Sequence, residues 1–127
     1  MDIPKSALIV DDEAHMRLYL KLILKELGVE TVLEAANGME GFERYQQERP
    51  ELVLMDITMP IMGGLEALNR ITEFEEDAVV IMMTSVATRQ SVEKSALNGA
   101  VQYLLKDTPK EELSRRIMET FEELEQC

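Results

Sequence analysis

The stretch Leu52-Val53-Leu54-Met55 places four apolar residues in a row behind Pro50 and ends in a carboxylate, Asp56. Such a run has no polar face. It suits a strand buried on both sides of a sheet, which is the environment of parallel sheets covered by helices. Two further runs repeat the pattern. Ser6-Ala7-Leu8-Ile9-Val10 ends in Asp11-Asp12-Glu13, and Ala78-Val79-Val80-Ile81-Met82-Met83 ends in Thr84-Ser85. Thr31-Val32-Leu33-Glu34-Ala35 and Val101-Gln102-Tyr103-Leu104-Leu105, which ends in Lys106, complete a set of five predicted strands.

The intervening segments read as helices. Leu18, Leu20, Leu22, Ile23 and Leu27 recur at roughly helical spacing over residues 14–27, and Gly28 supplies a stop. Residues 39–48 follow the Asn37-Gly38 turn, with Phe42 and Tyr45 on one side. Gly63-Gly64 opens a third helix carrying Leu65, Leu68 and Ile71, and residues 88–97 form a weaker fourth closed by Asn98-Gly99. Thr108-Pro109-Lys110-Glu111 has the form of a capping box with proline at the first helical position, before a stripe of Leu113, Ile117, Phe121 and Leu124. Helical crossovers between buried strands imply an α/β fold, a doubly wound parallel sheet with helices on both faces. The 127 residues are expected to form one domain, with no linker or repeat.

In such a sheet every strand's carboxyl end lies at one edge, where ligands bind. Asp11, Asp12, Asp56, Thr84 and Lys106 are therefore predicted to meet there. Each has a plain alternative: acids opening a helix, turn residues, a solvated lysine. Together they describe a chemistry. Carboxylates sharing a crevice raise one another's pKa unless a cation joins them, and hard oxygen donors at an open, wet site suit Mg2+. A lysine and a hydroxyl beside the metal suit a phosphoryl group.

The formal net charge of -12 argues against binding nucleic acid or an anionic membrane, since phosphate backbones reward clustered Lys and Arg. No apolar run approaches the ~20 residues needed to cross a bilayer, and the N-terminus lacks a signal peptide's apolar core, so a cytoplasmic location is expected. The single cysteine, Cys127, and single histidine, His15, exclude disulfides within the chain and Cys- or His-rich metal centres. His15 itself reads as a solvated helix residue.

With these residues in place, the chain resembles the receiver domain of two-component response regulators, of the single-domain CheY-like type. The resemblance rests on Asp11-Asp12, Asp56-Ile57-Thr58-Met59-Pro60-Ile61-Met62-Gly63-Gly64, Thr84-Ser85 and Gly99-Ala100-Val101-Gln102-Tyr103-Leu104-Leu105-Lys106, and covers essentially the whole chain. It implies the flavodoxin-like strand order 2-1-3-4-5. It further implies that Asp56 accepts a phosphoryl group from a phosphohistidine on a sensor histidine kinase or histidine phosphotransfer protein. Asp12 would bind Mg2+ directly and Asp11 mainly through water, with Asp56 and the Thr58 backbone carbonyl completing the protein's share. Lys106 would pair with phosphoryl oxygens, Thr84 would move its hydroxyl onto one, and Tyr103 would turn inward as the switch aromatic. The fourth helix, fifth strand and fifth helix would then present a changed face to a downstream effector protein, or the phosphoryl group would pass along a phosphorelay. Such a protein catalyses its own phosphorylation and dephosphorylation without being a conventional turnover enzyme. With nothing after residue 127 in the sequence, output is expected through another protein.

Two departures and two tuning positions stand out. The family usually has proline after the strand-five lysine, often with a cis bond, whereas Lys106 precedes Asp107. A non-proline cis bond costs ~3 kcal/mol, so a trans bond is expected. Gly63 replaces a common acidic residue. Thr58 and Val86 are positioned to set the lifetime of the phosphorylated form, Val86 by shielding it from water. Other function classes fit less well. A haloacid-dehalogenase-type phosphatase needs a second acid where Thr58 stands, and a flavodoxin's phosphate loop would not contain Asp11-Asp12-Glu13. An inert receiver-like interaction module would not need the full acceptor set.

Overall fold

A computed structural model describes residues 3–125, and side chains to residue 123. Its elements alternate as β1 (Ser6–Val10), α1 (Ala14–Leu27), β2 (Thr31–Ala35), α2 (Gly38–Glu48), β3 (Leu52–Asp56), α3 (Gly64–Phe74), β4 (Val80–Thr84), α4 (Arg89–Leu97), β5 (Gln102–Leu105) and α5 (Lys110–Glu125). All strands pair in parallel, in the order 2-1-3-4-5. The doubly wound α/β fold expected from the apolar runs is the one observed.

The runs are apolar because both faces of the sheet are covered. Ala7, Ile9, Leu52, Leu54, Ile81 and Met83 point to one face, where they meet Leu20 and Ile23 of α1 and Leu113 and Ile117 of α5. Leu8, Val10, Val53, Met55, Val80 and Met82 point to the other, against Tyr45 of α2 and Leu68 and Ile71 of α3. Strands β3 and β4 are buried at every position, while the edge strands β2 and β5 are only partly covered.

Four local readings change. In α1 the buried stripe is Met16, Leu20, Ile23 and Leu24, and Leu18 and Leu22 are more than half exposed. Residues 18 and 22 are one turn apart but lie roughly opposite residue 20, because each residue advances about 100°. Strand β4 begins two residues later than the apolar run, and β5 one residue later. At α5 the predicted capping box does not form. The Thr108 hydroxyl donates backward to the Leu105 carbonyl at 2.7 Å, and Leu113 N–H reaches Pro109 O, so Pro109 precedes the helix instead of opening it. A reciprocal capping box occurs at α4, between Thr88 and Ser91. Leu124 and Cys127 lie outside the described side chains.

The loop after β3 is held on both sides. Ile57 N–H bonds Met83 O, Gly64 N–H returns to Ile57 O at 2.8 Å, and Gly38 N–H reaches Met62 O at 3.1 Å. Gly64 is required by this closeness, since a Cβ there would stand 2.0 Å from the Asp56 carbonyl oxygen. Within the same loop Ile61 adopts φ 70° and is 81% exposed, a left-handed conformation that β-branched residues rarely adopt. Ile61→Asn is expected to stabilise the protein by about 1 kcal/mol in urea denaturation, because asparagine tolerates this region. Gly64→Ala should destabilise it by roughly 2–4 kcal/mol, since the obstacle is backbone.

Candidate functional site: a carboxylate cluster at the strand ends

The parallel register brings Val10, Asp56, Thr84 and Leu105 to one edge, and the residues just past β1 and β5 to the same place. There a cleft of about 410 Å3 is lined by Asp12, Glu13, Asp56, Thr58, Thr84, Ser85, Val86 and Lys106. Carboxylate oxygens of Asp11, Asp12 and Asp56 lie within 4.8 Å of one another.

Lys106 is the cation in this cluster. Its Nζ stands 2.7 Å from Asp11 Oδ2, 3.2 Å from Asp56 Oδ2 and 3.6 Å from Glu13 Oε1, and its side chain is only 9% exposed. The backbone sets its position: Lys106 N–H donates to Thr84 O at 2.8 Å, extending the β4–β5 pairing. No cis peptide bond occurs among the described residues, so Lys106–Asp107 is trans as expected.

Both carboxylate oxygens of Asp11 have a partner. Its N–H bonds Ala35 O, its Oδ1 accepts from Glu13 N–H at 2.9 Å, and its Oδ2 takes Lys106. Arg17, one turn into α1, holds the Asp11 carbonyl at 2.6 Å while its Nε bonds Glu34. Asp12 differs. It is exposed, and no hydrogen bond or ion pair from the described residues engages its carboxylate.

The electrostatics follow from burial. Desolvation, and then the Asp11 charge, push the Asp56 carboxyl up to about 6, against the pull of Lys106 and of the Thr58 N–H. Burial draws the Lys106 ammonium down, but its hydrogen bond to Asp11 and the charges of Asp56 and Asp11 outweigh this and raise it. A site holding surplus negative charge with one free carboxylate fits a hard divalent cation such as Mg2+. The expectation that crowded carboxylates raise one another's pKa thus holds at Asp56.

The two hydroxyl residues have other partners in this structure. Thr84 Oγ1 donates to Val86 O at 3.2 Å and accepts from Val86 N–H at 3.3 Å. The Tyr103 hydroxyl lies 2.7 Å from Ser91 Oγ. Tyr103 lines a hollow between α4 and β5, not the acidic cleft. Val86 stands at the cleft mouth, 71% exposed. His15 is exposed, 3.8 Å from Glu13, consistent with a solvated histidine. Sequence reasoning missed Glu13 and Arg17. Glu13 was detectable as the acid next to the Asp pair, whereas nothing in the sequence indicates that Arg17 reaches back to Asp11. A broader hollow of about 530 Å3 lies over Phe42 and Phe74, away from the strand ends. Its charged groups are occupied, Glu66 by Arg70 and Glu73 by Asn69.

Comparison with known proteins identifies the family. The response regulator receiver domain profile matches residues 7–118, and the chain belongs to that family. A chemotaxis protein CheY of Halobacterium salinarum is 43% identical over 80% of this chain and 84% of its own length. The CheY of Bacillus subtilis is 41% identical over 78% of this chain and 82% of its own. Among solved structures, a CheY from Borrelia burgdorferi, determined in complex with CheX, BeF3 and magnesium, superposes with a TM-score of 0.88 at 32% identity. That match covers 94% of this chain and 90% of the other. A CheY-like receiver from Methanospirillum hungatei gives 0.89 at 33% identity, covering 96% and 97%. Among the described residues no helix is long and apolar enough to cross a membrane.

The raised Asp56 pKa has a consequence for stability. Between about pH 4, where an unfolded Asp titrates, and the folded value of about 6, the native state keeps a proton that the unfolded chain has released. Stability therefore falls as pH rises through this window, and the whole shift is worth about 3 kcal/mol. In metal-free buffer at about pH 7.5, Asp56→Asn is expected to stabilise the protein by roughly 1–3 kcal/mol, a gain that disappears near pH 4. Mg2+ should stabilise the wild type more than the variant by mass action. Urea denaturation across pH, with chelator and with Mg2+, measures both.

Proposed function

We propose that this receiver accepts a phosphoryl group on Asp56 from a phosphohistidine of a sensor histidine kinase or histidine phosphotransfer protein. The observation that supports the reading best is the pairing of a 6%-exposed Asp56 with Lys106 at 3.2 Å, in the lining of a cleft that also holds Asp12 and Thr84. An Asp56 carboxylate oxygen attacks phosphorus, the P–N bond breaks, and the electron pair leaves with the imidazole nitrogen. Lys106 neutralises phosphoryl oxygens, and to do so it loosens its hold on Asp56 while keeping Asp11. The protein's contribution is positioning and charge, which is what phosphoryl transfer chiefly requires.

Asp12, Asp56 and the Thr58 backbone carbonyl would hold Mg2+, with Asp11 acting through water. The commitment of both Asp11 oxygens to Glu13 N–H and Lys106, against the free carboxylate of Asp12, supports that division. When bound, the ion offsets the carboxylate charge and the roughly two negative charges that the phosphoryl group adds.

Thr84 then exchanges its Val86 contacts for a phosphoryl oxygen, and Tyr103 moves into the space vacated. The face of α4, β5 and α5 shifts between two arrangements, and either a downstream effector protein reads it or the group passes along a phosphorelay. The domain spans residues 1–127 and works in the cytoplasm. Thr58 and Val86 set the lifetime of the acyl phosphate, Val86 by standing between it and bulk water.

Acetyl phosphate with Mg2+ should add one phosphoryl group to the wild type by intact mass, and none to Asp56→Asn or after chelation. Lys106→Met should be labelled at least about tenfold more slowly, because charge neutralisation is lost. Absence of any adduct, where a control receiver is labelled, favours the inert interaction module. Val86→Asn should shorten the lifetime of the adduct severalfold, and an unchanged decay rate removes the shielding role.

A further inference from the structure

Helix α4 packs weakly, with Ser95 its only buried residue, yet its first turn is the one hydrogen-bonded to Tyr103. Ser91, the third residue of that helix, is the point of contact. Thr88 Oγ1 accepts from Ser91 N–H at 3.0 Å, and Ser91 Oγ accepts from Thr88 N–H at 3.3 Å. Ser91 Oγ also lies 3.1 Å from Thr88 O, 3.0 Å from Thr88 Oγ1 and 2.7 Å from the Tyr103 hydroxyl.

A serine hydroxyl has one proton and two lone pairs. With its proton on Thr88 O and one lone pair filled by Thr88 N–H, Ser91 has a single acceptor position left. Two hydroxyls are within reach of it, those of Tyr103 and Thr88. The shorter distance belongs to Tyr103. Thr88 Oγ1, meanwhile, already accepts from Ser91 N–H and can donate its own proton to Ser91 without breaking the cap.

We propose that Ser91 is a latch for Tyr103. It holds the tyrosine against α4, and when the ring departs the Thr88 hydroxyl takes the vacated position, so the acceptor position on Ser91 stays filled. Tyr103 position and α4 cap geometry are thereby one equilibrium. Ser91 is a positioning residue, since it acts on the switch through Tyr103. Its effect on phosphorylation rests on the Asp56 receiver reading; its hold on Tyr103 does not. Because one neutral hydrogen bond replaces another, the bias is modest, roughly two- to fivefold in population.

Five proteins separate the possibilities: wild type, Ser91→Ala, Ser91→Thr, Tyr103→Phe and the Ser91→Ala, Tyr103→Phe double variant. NMR of labelled aromatic rings reports the rotamer at position 103 without any phosphoryl mimic. Ser91→Ala should increase the population turned away from α4 by roughly two- to fivefold, and Ser91→Thr, which keeps the hydroxyl, should restore the wild-type value. Beryllofluoride titration in Mg2+ should then show midpoints lowered by a similar factor, roughly two- to fivefold, in Ser91→Ala and Tyr103→Phe, with no further change in the double. Tyr103→Phe leaves the capping box whole, so agreement between these two single variants excludes simple fraying of α4. An unchanged ring rotamer in Ser91→Ala, or additive midpoint shifts, overturns the latch. Should the wild type ignore beryllofluoride, the receiver reading falls, and the ring measurement alone decides for or against the latch.

Discussion

The constraint on which this structure depends is the contact of one buried ammonium with two buried carboxylates. Lys106, just past β5, bridges Asp11, just past β1, and Asp56, the last residue of β3. Burying any one of these charges alone would cost several kcal/mol, and the single ammonium offsets part of that cost for both acids. They meet because the strands are parallel and in register, and the register holds because β3 and β4 are apolar at every position before the edge. The core is the instrument that brings the charges to one place. One lysine does not offset the costs at this edge: burial first, and the Asp11 charge second, still raise the Asp56 pKa. The site therefore favours added positive charge, which suits the proposed phosphoryl acceptor.

The same edge shows where stability gives way to function. The loop after β3 is clamped to β4, α2 and α3 by backbone hydrogen bonds, and this rigidity fixes Asp56 and the Thr58 N–H that supports it. The clamp forces Ile61 into the left-handed region and leaves no room for a side chain at Gly64. On the far side, Arg17 and the Ala35 carbonyl restrain Asp11. Positions that must not move are thus tied by backbone and guanidinium contacts. The Thr84 hydroxyl is held by two neutral contacts to Val86 and the Tyr103 hydroxyl by one to Ser91, each of modest net strength.

The sheet and the acid, lysine and threonine positions were legible in the sequence because they follow from strand burial. A run without a polar face dictates a doubly covered strand, and the edge residues come with it. Helix faces and caps were less legible. Leu18 and Leu22 are apolar at one-turn spacing yet face outward, because Met16, Leu20, Ile23 and Leu24 already form the stripe. Thr108 carries the capping signature, but its hydroxyl closes the turn after β5 instead. Thr88 does cap, with serine at the third position where the signature expects Glu or Gln. Contacts such as Arg17 with Asp11, or Ser91 with Tyr103, join residues whose nearness only the tertiary fold creates. No periodicity encodes them.

The proposed switch needs two arrangements of similar free energy, and the neutral hydroxyl contacts of Thr84 and Tyr103 suit it. Thr84 has one proton to give, held by Val86 O here, and a phosphoryl oxygen is the stronger acceptor because it is charged. The difference between a neutral and a charge-assisted hydrogen bond is about 1 kcal/mol, enough to change a population severalfold but not to make it all-or-none. Movement of Tyr103 adds little on either side if its place on Ser91 is refilled by Thr88. In the proposed switch, the responsiveness of the α4 and β5 surface comes from the weakness of each contact: a helix with a single buried residue can follow a tyrosine held by one neutral hydrogen bond. A more deeply packed α4 would hold one arrangement and report nothing.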